Sequence, residues 1–232
     1  MNADFLPFLT PTAILDSNHP RVQGYAMEMT AGSRDTVETA TKLYLAVRDN
    51  ILYDPYAPFH LPEHYRASYV LDRGRSYCVP KASLLCALGR ACDIPARVGF
   101  ADVRNHLATR QLIDFIGTDL FVYHGFVEFH LEGKWVKATP AFNRDLCTRH
   151  KVPPLEFNGR EDSLFHAYNL EKHKFMEYVR FHGVYDDVPV AEIVAAWKKA
   201  YGESRVNQWI ETFEKRGGQS IRDFNREDVL KK

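Results

Sequence analysis

From residue 33 to 51, apolar side chains recur at steps of three and four, placing Val37, Ala40, Tyr44, Val47 and Ile51 on one face. That spacing predicts an amphipathic helix behind an N-cap at Ser33. The run Tyr53-Asp54-Pro55-Tyr56-Ala57-Pro58 ends it, because proline removes a donor and drives its predecessor out of the helical region; a loop is expected to about residue 68. A second helix opens near Cys78, with Pro80 in its first turn and Leu84, Leu85, Leu88 and Ala91 at helical intervals, and Asp93-Ile94-Pro95 stops it. Ala96 to Ala101 reads as a buried strand. Phe121 to Leu131 alternates, Glu132-Gly133 supplies a tight turn, and Lys134 to Thr139 runs back, which makes a β-hairpin.

Residues 143 to 189 hold Pro153-Pro154, Asn158-Gly159 and Gly183, and are expected to form a lid or wall with at most short regular elements. Two helical stretches follow, separated at Gly202. The first carries Ile193, Val194, Trp197 and Tyr201 on one face, and the second carries Val206, Trp209, Ile210 and Phe213; these aromatics are expected in the core. The order of helices, antiparallel strands and helices predicts the α+β class.

Composition narrows the function. Thirty basic side chains balance thirty acidic ones, so the chain lacks the positive excess that a nucleic-acid partner rewards. No stretch approaches the roughly eighteen apolar residues of a membrane-spanning helix, which argues against a membrane protein. The amino-terminal segment has no basic leader and is interrupted by Pro7 and Pro11, so a cytoplasmic protein is expected. With 45% hydrophobic and 26% charged residues and no repeat or linker, residues 1–232 read as one globular domain. Cys78, Cys86, Cys92 and Cys147 form no C-x-x-C pattern and are expected as free thiols.

Two residues carry chemistry. Cys78 stands where a helix begins, and the unpaired N–H groups and positive dipole end there favour a thiolate, the form that attacks carbonyl carbon. His124 is an imidazole on an otherwise apolar strand, beside Gly125, and is the candidate base. If Leu131 faces Lys134 across the turn, His124 lies opposite Ala141, on the same face as Thr139 and Asn143; either is a candidate to orient the ring. Pro140 is expected to end the ladder. His60 and His64 have the spacing of helix-borne metal ligands, but Pro62 between them argues against that helix, and no metal site is expected. Cys86, in mid-helix among leucines, is expected to be an inert core thiol; Cys92 and Cys147 have no visible partner. His106, His130, His150, His166, His173 and His182 are expected to be solvated.

The run from Tyr77-Cys78-Val79-Pro80-Lys81-Ala82 through Leu88-Gly89-Arg90, then Ile94-Pro95-Ala96-Arg97, His124 in its strand, and Gly133-Lys134-Trp135 through Thr139-Pro140 resembles the core of the transglutaminase-like superfamily. The resemblance covers residues 35 to 145 and leaves 146 to 232 as a C-terminal extension. It implies a papain-like α+β fold: a central helix with a nucleophilic cysteine at its start, packed on an antiparallel sheet, here with extra C-terminal helices. It further implies acyl transfer or hydrolysis at an amide bond of a peptide, protein or small amide, as in the bacterial members described as cysteine proteases, without metal or organic cofactor. Cys78 matches the nucleophile and His124 the base. Where the family usually has aspartate, four residues after tryptophan, this chain has Thr139, and Asn143 is preferred over it as the third residue.

Two other readings accompany this one. A chain that kept the fold and lost the triad would be a non-catalytic peptide- or protein-binding module. The segment Arg73-Gly74-Arg75-Ser76-Tyr77-Cys78 is also faintly similar to the cysteine approach of arylamine N-acetyltransferases, which would imply acetyl-coenzyme A as donor. The closure at Ile94-Pro95-Ala96-Arg97 fits the transglutaminase-like pattern better.

Overall fold

In a computed structural model, residues 3–106, 108–224 and 227 are described. The helix expected at 33–51 is α2 (Thr36–Asn50), preceded by α1 (Pro20–Met29). Its N-cap is Asp35 rather than Ser33, because the Asp35 carboxylate accepts the Glu38 N–H at 2.8 Å. The chain then forms β1 (Leu52–Tyr53), a 3₁₀ turn at Pro62–Tyr65, α3 (Ala67–Arg73) and β2 (Arg75–Ser76), which pairs in parallel with β1. The helix α4 (Cys78–Ala91) follows at once. Asp93 ends it in the left-handed region (φ 57°), and the Ile94 N–H closes on Gly89 O at 2.9 Å.

Four antiparallel strands make the main sheet: β3 (Ala96–Asn105), β4 (Leu120–Leu131), β5 (Lys134–Ala138) and β6 (Met176–Tyr185), in the order β5-β4-β3-β6. The hairpin register is as expected, with Leu131 opposite Lys134 and Val127 opposite Ala138. Glu132 and Gly133 both have positive φ, as a type I′ turn requires. The ladder ends at Ala138, before Pro140.

The helix α4 lies against β3 and β4, and Leu84, Leu85, Cys86 and Leu88 are fully buried. Two glycines permit this approach. A Cβ on Gly89 would stand 2.4 Å from the Phe129 ring, and one on Gly125 would stand 2.9 Å from Val79 Cα. Between β3 and β4, α5 (Arg110–Ile116) was not legible in the pattern.

The segment 143–189 departs from expectation. It contains α6 (Arg144–Arg149) and the ten-residue β6, which is an edge strand. Val179 and Phe181 of β6 are both exposed although they would share a face, so no apolar/polar alternation marks it, and Gly183 (φ 105°) looks like a turn former. The last helices, α7 (Val190–Tyr201) and α8 (Glu203–Lys215), meet at Gly202 as expected. Buried side chains from Ile14 to Phe224 form one continuous cluster. Among the described residues, no helix is long and apolar enough to cross a membrane.

Candidate active site

Cys78 is the first residue of α4, and the residue before it, Tyr77, has extended backbone and offers no side-chain cap. Pro80 has no N–H, and the Lys81 N–H is taken by Tyr77 O at 3.2 Å. The open donors of the first turn are therefore those of Cys78 and Val79, and both act on the Cys78 sulfur, together with the Gly125 N–H from β4. These three groups and the Lys81 charge favour a thiolate. Burial outweighs them and pushes the thiol up to about 11, so the acidic thiol expected from the helix start alone is not the resting state.

His124 is delivered by an irregularity in β4. The pairing with β3 shifts between Ala101 and Val103, and Tyr123 adopts φ 56°. Its N–H turns to the Asp102 carboxylate at 3.0 Å. His124 is buried, its ring lies 4.8 Å from the Phe165 ring, and its Nε2 has no hydrogen-bond partner among the described residues. Burial holds its pKa down at about 3, so the imidazole is neutral at pH 7.

Cys78 and His124 line one cavity of about 570 Å³. Its wall is aromatic, lined by Tyr53, Phe59, Trp197, Tyr201 and Trp209. The Trp197 indole donates to Val122 O at 3.1 Å and the Tyr201 hydroxyl accepts the Val122 N–H at 2.8 Å, which fastens α7 to β4 two residues before His124. The C-terminal aromatics are core residues, as expected, and they also shape the cavity.

The two candidates for the third position are both buried. Asn143 is buried at the start of α6, where its Oδ1 accepts the Tyr53 N–H at 3.2 Å. Thr139 is buried with its hydroxyl unbonded, beside the Tyr178 hydroxyl. Neither makes a hydrogen bond to His124.

Sequence reasoning missed a second pair. His182, expected to be solvated, lies in β6 with Nε2 2.7 Å from Asp102 Oδ1, and its ring stacks on Tyr123 at 4.1 Å. No motif announces this pair, because it needs β6 and the β4 irregularity to exist. Two further histidines also depart from solvation: His130 packs 5.3 Å from the Trp135 ring, and His150 lines a separate cavity of about 420 Å³ with its Nε2 buried and unbonded.

His60 and His64 have rings 4.8 Å apart across the 3₁₀ turn that Pro62 starts. Among the described residues, no group of three or more His, Cys, Asp or Glu side chains is placed to hold a metal ion. All four cysteines are free thiols; Cys86 is fully buried in mid-helix, and Cys147 is buried in α6.

A family model described as the transglutaminase-like superfamily matches residues 23–140, just over half of the 232-residue chain. Among solved structures, the chain is similar to a putative cysteine protease from Cytophaga hutchinsonii, at 17% identity and TM-score 0.48, over 80% of this chain and 56% of that one. It is also similar to a putative protease from Parabacteroides distasonis, at 18% identity and TM-score 0.39, over 59% of this chain and 25% of that one. The chain thus spans about half the length of the first structure and a quarter of the second. No curated protein matches it.

Proposed function

The chain belongs to the transglutaminase-like superfamily, and from that premise we propose that it is a thiol-dependent acyl-transfer enzyme acting on an amide bond through Cys78 and His124. The observation that carries this reading is the shared cavity, in which Cys78 has three backbone N–H groups about its sulfur and His124 has an unbonded Nε2. A buried polar atom without a partner costs stability, and beside a nucleophile it is an acceptor waiting for a proton.

Thiol and imidazole are both neutral at pH 7 in the resting state, so proton transfer accompanies attack. Cys78 Sγ bonds to the carbonyl carbon, its proton passes to His124, and the carbonyl electron pair moves onto oxygen. The N–H groups of the first turn of α4 favour that oxyanion. Collapse breaks the C–N bond, the imidazolium returns its proton to the leaving amine, and water or a second amine then releases the acyl group. Thr139 brings no carboxylate to stabilise the imidazolium, so its charge is carried by the cavity alone.

The test is acylation by 4-nitrophenyl acetate, read by peptide mass spectrometry. The expected result is an acetyl group on Cys78, continued nitrophenol release, and loss of both in Cys78→Ala. Equal nitrophenol release by Cys78→Ala would overturn the reading in favour of a binding module.

A further inference from the structure

Arg73, Arg75, Arg216 and Arg222 line an open depression of about 900 Å³, distinct from the Cys78 cavity, with Ser220 and Asp223 in its rim. Arg73 is locked in place, since it donates to Gly218 O at 2.7 Å and to Ser220 Oγ at 2.8 Å, while its Nε is buried without an acceptor. The Arg75 Nε is also buried and unbonded; the Asp54 carboxylate stands 3.3 Å away at an angle that makes no hydrogen bond. Asp54 already accepts from the Tyr56 N–H and from Ser220 Oγ. Arg216 and Arg222 are exposed, and their side chains bond to none of the described residues. Among the described residues, four cations line the depression with the single carboxylate Asp223, Asp54 stands beside Arg75, and an anion relieves the excess.

A guanidinium offers two parallel N–H groups that match two oxygens of a carboxylate or phosphate. The depression also stands in a fixed relation to the nucleophile. From Arg75 the chain runs extended through β2 and Tyr77 to Cys78, three residues on, a span on the order of 10 Å. We propose that this basin binds an oxyanion group, carboxylate or phosphate, carried by the substrate roughly 10 Å from the bond that Cys78 attacks. Its link to Cys78 rests on the acyl-transfer reading; its anion binding does not.

Two measurements on the full chain test it. In the first, inorganic phosphate and glutarate are titrated by calorimetry into the wild type and into Arg216→Gln/Arg222→Gln, whose exposed side chains bond to none of the described residues. Saturable binding that weakens at least about threefold in the variant is expected from losing two of four charges. The tighter ligand identifies phosphate or carboxylate as the source. No saturable binding, or equal binding by the variant, overturns the proposal.

In the second, Cys78 is alkylated with iodoacetate and with iodoacetamide at low salt, and the ratio of the two rates is taken. The ratio is expected to fall about threefold in the double variant. An unchanged ratio overturns the basin as a substrate anchor. A Cys78 inert to both reagents overturns the acyl-transfer reading, and with it the link to Cys78, while the first measurement still decides the anion site.

Discussion

The first turn of α4 faces two neighbours, and the buried basic groups met on either side have opposite fates. Towards α2, Lys81 is wholly buried and donates to Arg48 O at 3.0 Å and to Ile51 O, closing the end of that helix. Towards β4, His124 is almost as buried, and its Nε2 has no hydrogen-bond partner among the described residues. Burial lowers both pKa values, to about 7 for Lys81 and about 3 for His124. The shift alone does not separate structure from chemistry; satisfaction does. Lys81 has its acceptors and holds the fold, whereas His124 lacks them and shares a cavity with a nucleophile.

The contrast is most sharply tested by removing each group. Replacing His124 with alanine is expected to slow Cys78 acylation by about 10²- to 10⁴-fold, the usual worth of a general base, with melting temperature unchanged or raised. An acylation rate within threefold of wild type would remove the distinction. Lys81→Met leaves two buried carbonyls unpaired and is expected to cost about 2–4 kcal/mol in urea unfolding, while the folded fraction, having lost only the smallest of the influences that favour the thiolate, acylates within about threefold of wild type. If instead it leaves stability intact and abolishes acylation, Lys81 belongs to the chemistry.

Gly125→Ala probes the contact that joins the two sides. Its Cβ would meet the backbone at Val79 Cα at 2.9 Å, and the expected loss is about 1–3 kcal/mol together with slower acylation. A variant as stable and as reactive as wild type would show that α4 can recede without disturbing the site.

The smallest effect is on the pH dependence of stability. The folded-state pKa of His124 is depressed, so between about pH 3 and the unfolded value near 6.5 the unfolded chain binds the extra proton. Its contribution is present above pH 6.5 and lost as pH falls, up to about 2 kcal/mol between pH 7 and 5. His64 and His150, both held near 4 by burial, add the same sign. His124→Gln should flatten the slope in urea titrations at pH 5 and 7. A slope unaltered by that change would mean that His124 is not buried neutral.

The elements around the Cys78 and His124 centre were legible because their signals are local. Helical spacing, Pro80, the Asp93-Ile94-Pro95 stop and the Glu132-Gly133 turn each act within a few residues. The hairpin register came from the turn alone, and the observed Val127 to Ala138 pairing agrees with it. The ladder stops at Ala138, however, so parity could not place the residues beyond Pro140, and Asn143 turned to the Tyr53 N–H, ninety residues away in the chain. Asp102, His182 and the arginine basin were illegible for a related reason. Each joins segments distant in sequence, through an edge strand without alternation, a strand irregularity, or a C-terminal turn packed on α3 and β2.

The most direct test of the Cys78 and His124 pairing is the rate of Cys78 alkylation by iodoacetamide from pH 5 to 8, resolved site by site, in wild type and His124→Ala. With the thiol near 11 and His124 accepting its proton as attack proceeds, the wild-type rate should be nearly flat across that range. In His124→Ala it should climb about tenfold per pH unit, as an unassisted thiol does well below its pKa. A tenfold climb per unit in both proteins would contradict the pairing, leaving Cys78 an unassisted thiol and His124 its bystander.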